Sequence, residues 1–267
     1  MYIDQIKKKN IAFNKNQNEI IFAISLKSKK VSKNWTVVEE NLSKTLRSIF
    51  NNTAQNFRVI LAGHEKPDIV ELSHKKVTFL AVSFPPPSNT RGFSRDKLKK
   101  RLVIGKYLRV KNFSGYFVPL DADDWLHYRF VEYINSLPLK KAFVINRGFM
   151  SNFYLNEVWL QKEFYKHCGS CMVLYFSKED FPTGNSRDKG TFSYLTLKRH
   201  PKIKQYLRNR RIEYLTIDIP IVFRYFGHGE NNMLLKRTLK EDIVAKEFNS
   251  IGEAFNNSFY DVFRIIK

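Results

Sequence analysis

A chain of 267 residues with 43% hydrophobic and 15% aromatic side chains has enough apolar mass for one large α/β core, which excludes a disordered chain. Its 46 Lys and Arg against 25 Asp and Glu give a net charge of +21, which attracts nucleic acid, anionic lipid headgroups or a phosphate-bearing substrate and leaves the choice among them open. Two cysteines rule out a disulfide framework, and no apolar run approaches the roughly 20 residues of a membrane span, so a soluble chain of a reducing, cytoplasmic compartment is expected.

The first eighteen residues are polar, carry Lys7-Lys8-Lys9 and read as a loosely attached arm. Ile20 to Leu26 reads as a buried strand, and Thr36 is expected to cap a helix with Val38, Leu42, Leu46 and Ile49 at helical spacing. Phe57 to Ala62, which runs into Gly63-His64-Glu65, and Val77 to Val82 are two further apolar runs. Pro85-Pro86-Pro87, Asn89 and Gly92 mark a long loop. Ser94 then begins a basic helix that carries Arg95, Lys99, Arg101 and Arg109. A fourth strand, Gly115 to Leu120, delivers Asp121-Ala122-Asp123-Asp124.

Beyond it the pattern predicts a helix near His127 to Ser136 and strands at Lys141 to Asn146 and Met172 to Phe176. A polar loop from Lys178 to Gly190 follows, then a helix opened by His200-Pro201 with the proline in its first turn. Ile217 to Phe226 reads as a last strand interrupted at Pro220, ending in Gly227-His228-Gly229-Glu230-Asn231-Asn232. The tail from Leu239 shows helical periodicity through Ile243, Phe248, Phe255, Phe259 and Phe263 and is expected to pack on the domain or on a partner. This alternation predicts an α/β domain with a mostly parallel central sheet flanked by helices and ligands at the carboxyl ends of its strands.

That is where the acids lie. Three carboxylates at a strand end repel one another and raise their own pKa values unless a cation or a dense hydrogen-bond network holds them, and a divalent metal is the economical explanation. Cys168-Gly169-Ser170-Cys171 matches a redox C-x-x-C only nominally, because a strand follows where a helix would be needed to lower the first thiol's pKa. A zinc site would want two more soft ligands and only His167 is near, so both cysteines read as structural. His228, between two glycines after a predicted strand, has a backbone able to approach a ligand closely.

Gly115 to Trp125 resembles the strand and D-x-D-D segment of the nucleotide-sugar-dependent glycosyltransferases of the GT-A fold, in particular the inverting family 2 group of bacterial polysaccharide assembly. The resemblance covers about residues 19 to 135 well. It implies a single GT-A, Rossmann-like domain over 19–238, with a nucleotide-binding half (19–126) and an acceptor-binding half (127–238). An arm (1–18) precedes it and a helical tail (239–267) follows.

It also implies Mn2+ or Mg2+ as cofactor, with Asp123 as direct ligand, Asp121 on the metal shell or the ribose, Asp124 supporting that shell or approaching the sugar, and His228 completing the shell or touching the diphosphate. Ser25, Lys27, His64 and Glu65 would surround the base and ribose, and Arg95, Lys99 and Arg101 would face the donor phosphates. Asp180 is the first choice of catalytic base, with Glu179 and Asp188 as the other acids. The implied activity moves a sugar from a nucleotide donor, UDP-linked, to a surface-glycan or lipid-linked acceptor at the cytoplasmic membrane face.

Gly63-His64-Glu65 departs from the family's Asp-Asp-Gly-Ser, which leaves the base open. Two other readings stand beside this one. A two-metal nucleotidyltransferase would show similar acids, and a nucleic-acid-binding protein would use the charge and the Tyr and Phe for stacking, without any helix-turn-helix, RRM or zinc-finger signature.

Overall fold

The structure, a computed structural model, describes residues 18–184, 190–196, 200–236 and 240–264. The arm expected over residues 1–18 therefore lies almost wholly outside the described residues, as does Asp188. Strand β1 (Ile20–Ser25) is an unbroken apolar run buried on both faces, the signature of a strand inside a covered parallel sheet. It leads to α1 (Trp35–Phe50), in which Val38, Leu42, Leu46 and Ile49 form one buried stripe. The cap of this helix is Asn34 rather than Thr36. The Asn34 side-chain oxygen accepts from the amides of Thr36 and Val37 at 3.1 and 3.4 Å, which only a residue just outside the helix can do.

Next come β2 (Phe57–Gly63), β3 (Val77–Ala81), α2 (Phe93–Val110) and β4 (Gly115–Leu120). After the acids follow β5 (Asp124–Leu126), α3 (Phe130–Ser136), β6 (Ala142–Ile145), β7 (Arg147–Asn152), β8 (Glu157–Lys162) and β9 (Met172–Phe176). The chain closes with α4 (Thr191–Thr196), α5 (Ile203–Asn209), β10 (Tyr214–Ile217), β11 (Val222–Phe226), α6 (Asn232–Leu235), β12 (Glu253–Ala254) and α7 (Ser258–Phe263).

The central sheet has seven strands in the order β10-β6-β9-β4-β1-β2-β3. All neighbours are parallel except β9, which runs antiparallel to both β4 and β6. Helix α2 packs on β1, β2 and α4. The expected α/β architecture with a mostly parallel sheet is present.

A second, five-stranded sheet, β12-β8-β7-β11-β5, was not expected from the sequence. The strand expected over Ile217 to Phe226 is in fact two: β10 closes the central sheet, Pro220 lies in the crossing, and β11 belongs to the second sheet. In the tail, a single turn at Ala245–Phe248 and α7 are separated by β12, which pairs with β8. Phe259, Val262 and Phe263 of α7 bury their side chains against Trp125 and Phe223, whose rings stack at 4.8 Å. The acid segment is thus the turn that carries the chain from β4 of one sheet into β5 of the other.

Candidate functional site

Strands β2 and β3 extend the sheet to one side of β1 while β4 lies on its other side, so the chain order reverses between β1 and β4. Open parallel sheets bind ligands outside the carboxyl ends of their strands at such a reversal. A cleft of about 800 Å3 opens there. One wall is built from Ser25 to Lys27 after β1, from Asp96, Lys97 and Arg101 of α2, and from Asp121 to Asp124. The other carries Lys166, His167, Gly169, His200, Arg224, Tyr225, His228 and Glu230.

Each acid of the turn meets a different environment. Asp121 pairs with Lys97. Burial alone would raise its pKa, but the charges of Lys97 and Arg101 outweigh burial and hold it at about 2. Asp124 is buried and accepts from Ser170 Oγ at 2.6 Å and from Cys168 Sγ at 3.1 Å. Burial, added to by the charges of Asp123 and Asp121, pushes its pKa up to about 8. Asp123 turns to the opposite wall, where its Oδ2 lies 3.0 Å from His228 Nε2 and accepts from Asn231 Nδ2 at 3.0 Å.

His228 is held where it is by a turn that needs its glycines. Gly227 and Gly229 have φ of +87° and +81°, in the left-handed region, and a Cβ on Gly227 would fall 2.3 Å from Asn152 Oδ1. The imidazole stacks on Tyr225 with ring centres 5.4 Å apart and planes 8° from parallel. Lys27 donates to Glu230 Oε2 at 2.7 Å, and the Asn34 amide donates to Glu230 Oε1 at 2.6 Å, so this turn is tied to the loop after β1 on the facing wall.

A carboxylate oxygen suits Mn2+ and Mg2+ alike, whereas an imidazole nitrogen favours the softer Mn2+, and Asp123 with His228 is the pair in the cleft that fits such an ion. Asp121, expected as a further ligand, is committed to Lys97. Among the described residues no three His, Cys, Asp or Glu side chains converge on a point that a metal would occupy.

Of the expected donor-site residues, Ser25, Lys27 and Arg101 line the cleft. Ser25 Oγ donates to the Lys97 carbonyl at 3.2 Å, and the buried Arg101 donates from Nη1 to the Thr196 carbonyl at 2.8 Å, with its Nε unpartnered. His64 and Glu65 lie outside the lining. Glu65 instead accepts from Ser28 Oγ at 2.9 Å and the Lys29 amide at 3.0 Å, and His64 Nε2 sits 3.0 Å from the Phe84 carbonyl. Arg95 and Lys99 are exposed on α2 and also lie outside the lining, Lys99 over the Phe84 ring.

The expectation for the base is corrected. Because β9 runs antiparallel, Phe176 at its carboxyl end pairs with Gly115 at the start of β4, so Glu179 and Asp180 sit at the rim opposite Asp121. Asp180 accepts from the amide and the hydroxyl of Ser177, both at 2.9 Å, and is a turn cap.

Four participants were missed. Ser170 and Cys168 stood in a motif weighed only for its thiols, and Asn231 was noted only as part of the glycine-flanked turn. His200 was read as a helix opener. Its Nδ1 faces the Tyr165 carbonyl at 2.7 Å and therefore carries the proton, leaving the lone pair on Nε2. Burial lowers its pKa to about 4, with Lys97 and Arg101 adding to burial against the pull of the Tyr165 carbonyl.

The Asp124 environment has a measurable consequence. Its folded pKa lies above the ordinary 3.8, so its contribution to stability is complete below about pH 4 and is lost as pH rises towards about 8. Asp124→Asn is expected to flatten the decline of Tm between about pH 5 and 8. A variant whose thermal unfolding keeps the wild-type slope would show that Asp124 ionises as an ordinary carboxyl.

No family model matches this chain, and no curated protein matches it. Among solved structures, it is similar to a protein of Desulfovibrio desulfuricans G20 that carries the provisional name nucleotide-diphospho-sugar transferase. The TM-score is 0.38 and the identity 10%, over 78% of this chain and 81% of that one. A likeness of that size carries no argument about activity.

Proposed function

We propose that this chain transfers a sugar from a nucleoside-diphosphate donor to a hydroxyl acceptor, with Mn2+ or Mg2+ held by Asp123 and His228. The observation that carries this reading is the approach of Asp123 Oδ2 to His228 Nε2, 3.0 Å apart, from opposite walls of a cleft at the sheet's reversal point. When bound, the cation supplies Lewis-acid neutralisation of the charge that builds on the departing diphosphate. Its other positions would be open to substrate oxygens and water.

The chain's own residues do the rest. Lys97 and Arg101 border the same space and, with one charge paired to Asp121, leave a net positive charge fixed beside the diphosphate, which costs no reorganisation as the bond breaks. Ser25 to Lys27 line the cleft at the end of β1 and would meet the nucleoside there. We assign the base to His200, whose Nε2 lone pair is free at physiological pH and takes the acceptor hydroxyl proton as the new glycosidic bond forms. The UDP-linked donor and the inverting outcome rest on the resemblance at Gly115 to Trp125. The charge of +21 supports an anionic or lipid-linked acceptor at a membrane surface. No helix among the described residues is long and apolar enough to cross a membrane.

The test is a thermal-shift panel of sugar nucleotides with and without Mn2+. A true donor at about 100 times its Kd is expected to add about 2.7 kcal/mol of stability, and only with the metal present. Larger shifts with free nucleoside triphosphates would favour nucleotidyl transfer instead. His200→Ala is expected to slow transfer by about 10²- to 10⁴-fold while leaving the donor-induced shift in place. Transfer at the wild-type rate in that variant would remove His200 from the mechanism.

A further inference from the structure

Each residue of the segment Cys168-Gly169-Ser170 touches the acid turn. Ser170 Oγ accepts the Asp121 amide at 2.9 Å while donating to Asp124 Oδ2 at 2.6 Å. Cys168 Sγ donates to the same carboxyl oxygen at 3.1 Å, and its sulfur accepts the Ser170 amide at 3.3 Å. Gly169 packs directly on the carboxylate of Asp121: a Cβ there would lie 3.1 Å from Asp121 Oδ2 and 3.5 Å from Lys97 Nζ.

These contacts do more than fill space. One hydroxyl joins the first residue of the turn, through its backbone, to the last, through its side chain. Both ends of Asp121 to Asp124 are then fixed, and Asp123 between them is left to face the cleft. The clamp is itself rigid. The Cys168 amide donates to the Phe164 carbonyl at 3.0 Å, the Cys171 carbonyl accepts the Ile145 amide at 2.8 Å, and Ser170 is fully buried. Hydrogen bonds kept from water hold their geometry more strictly than exposed ones. Gly169 lacks the left-handed φ that would demand glycine, so its missing side chain matters for space and not for backbone freedom.

We propose that Ser170 is a positioning residue that aims Asp123 at the bound cation and diphosphate, and that Gly169 keeps the space beside Asp121 and Lys97 open to the donor. This inference rests on the glycosyltransferase reading above. It adds to it that the acceptor half of the chain sets the geometry of the donor's acidic rim.

The experiment uses the full chain, with Mn2+ and UDP as ligands and donor turnover as the second readout. Wild-type protein that shows no joint response to Mn2+ and UDP would overturn the functional reading itself. Given that response, Ser170→Ala is expected to weaken Mn2+-dependent UDP binding about tenfold and to lower kcat. A Ser170→Ala protein with a lower Tm but the wild-type Kd and kcat would overturn the positioning role, because a hydroxyl that served only packing would leave both unchanged. Gly169→Ala covers the case in which Ser170→Ala does not fold. The backbone accepts alanine, but the added Cβ, 3.1 Å from Asp121 Oδ2, makes the Asp121–Lys97 pair give way, so a modest fall in Tm is expected while the donor KM rises severalfold and kcat stays within about twofold. An unchanged donor KM in Gly169→Ala would overturn the role assigned to that position.

Discussion

Asp123→Ala is expected to cut sugar-nucleotide turnover by about 10²- to 10³-fold, the usual loss when a group that meets developing charge is removed. The fold is expected to survive. The Asp123 side chain is 26% exposed, and its buried partner His228 still has Asn231 Nδ2 at 2.8 Å from its Nε2. His228 keeps its stack on Tyr225, and Asn231 keeps its bonds to the Gly227 amide and the Tyr225 carbonyl. A change within about 1 kcal/mol corresponds to only about 2–4 °C in Tm for a chain of this size. Parallel measurement of turnover and thermal unfolding decides the matter. Undiminished turnover would remove the metal role, and collapse of the fold would make Asp123 a structural acid.

The largest loss of stability is expected on the other side of the cleft wall, at Lys100. Its ammonium is fully buried and donates to Asp96 Oδ2 at 2.6 Å and to the Leu26 carbonyl at 2.7 Å. Burial lowers the Lys100 pKa while Asp96 opposes the shift, so the pair stands or falls together. Asp96 Oδ1 has no hydrogen-bond partner, and His64 Nε2, at 3.7 Å, is too distant to replace the lysine. Lys100→Ala therefore strands a buried carboxylate and is expected to cost about 3–5 kcal/mol. Replacing both charges in Lys100→Met/Asp96→Leu is expected to recover most of that loss, because two apolar groups of similar volume need no desolvation. Urea unfolding of the two variants measures the difference. Equal destabilisation in both would place the energy in the bond to Leu26 and not in the ion pair.

The first half of the central sheet was legible because buried parallel strands are continuous apolar runs. Ile20 to Ser25, Phe57 to Gly63 and Gly115 to Leu120 announce themselves without any partner. The second sheet was not legible for the converse reason. Strands such as Glu157–Lys162 carry only three consecutive apolar residues, Val158 to Leu160, between polar ends, too short a run to distinguish from a loop. Direction was hidden as well. Nothing local to Met172–Phe176 says that it runs against its neighbours, so the acids after it were assigned to the wrong rim.

The acid turn could be found as residues but not as a site, since its clamp Ser170 lies 46 positions from Asp124 and shares no local pattern with it. The tail shows the same limit. Its Phe residues fall at helical spacing, yet Phe248 stacks on Trp159, while Phe255, which precedes α7, gathers with Phe259 and Phe263 on Phe223.

The reversed course of β9 also gives the molecule a handle. Glu179 is exposed on the rim away from the cleft, and a Glu179→Cys substitution would offer a single reactive thiol there. Both native thiols are buried, Cys171 pushed up to about 12 and Cys168 well above its ordinary value, and so remain protonated and inert to maleimide at neutral pH. Protein tethered to a sensor chip through that position would present its open mouth to the flowing solution.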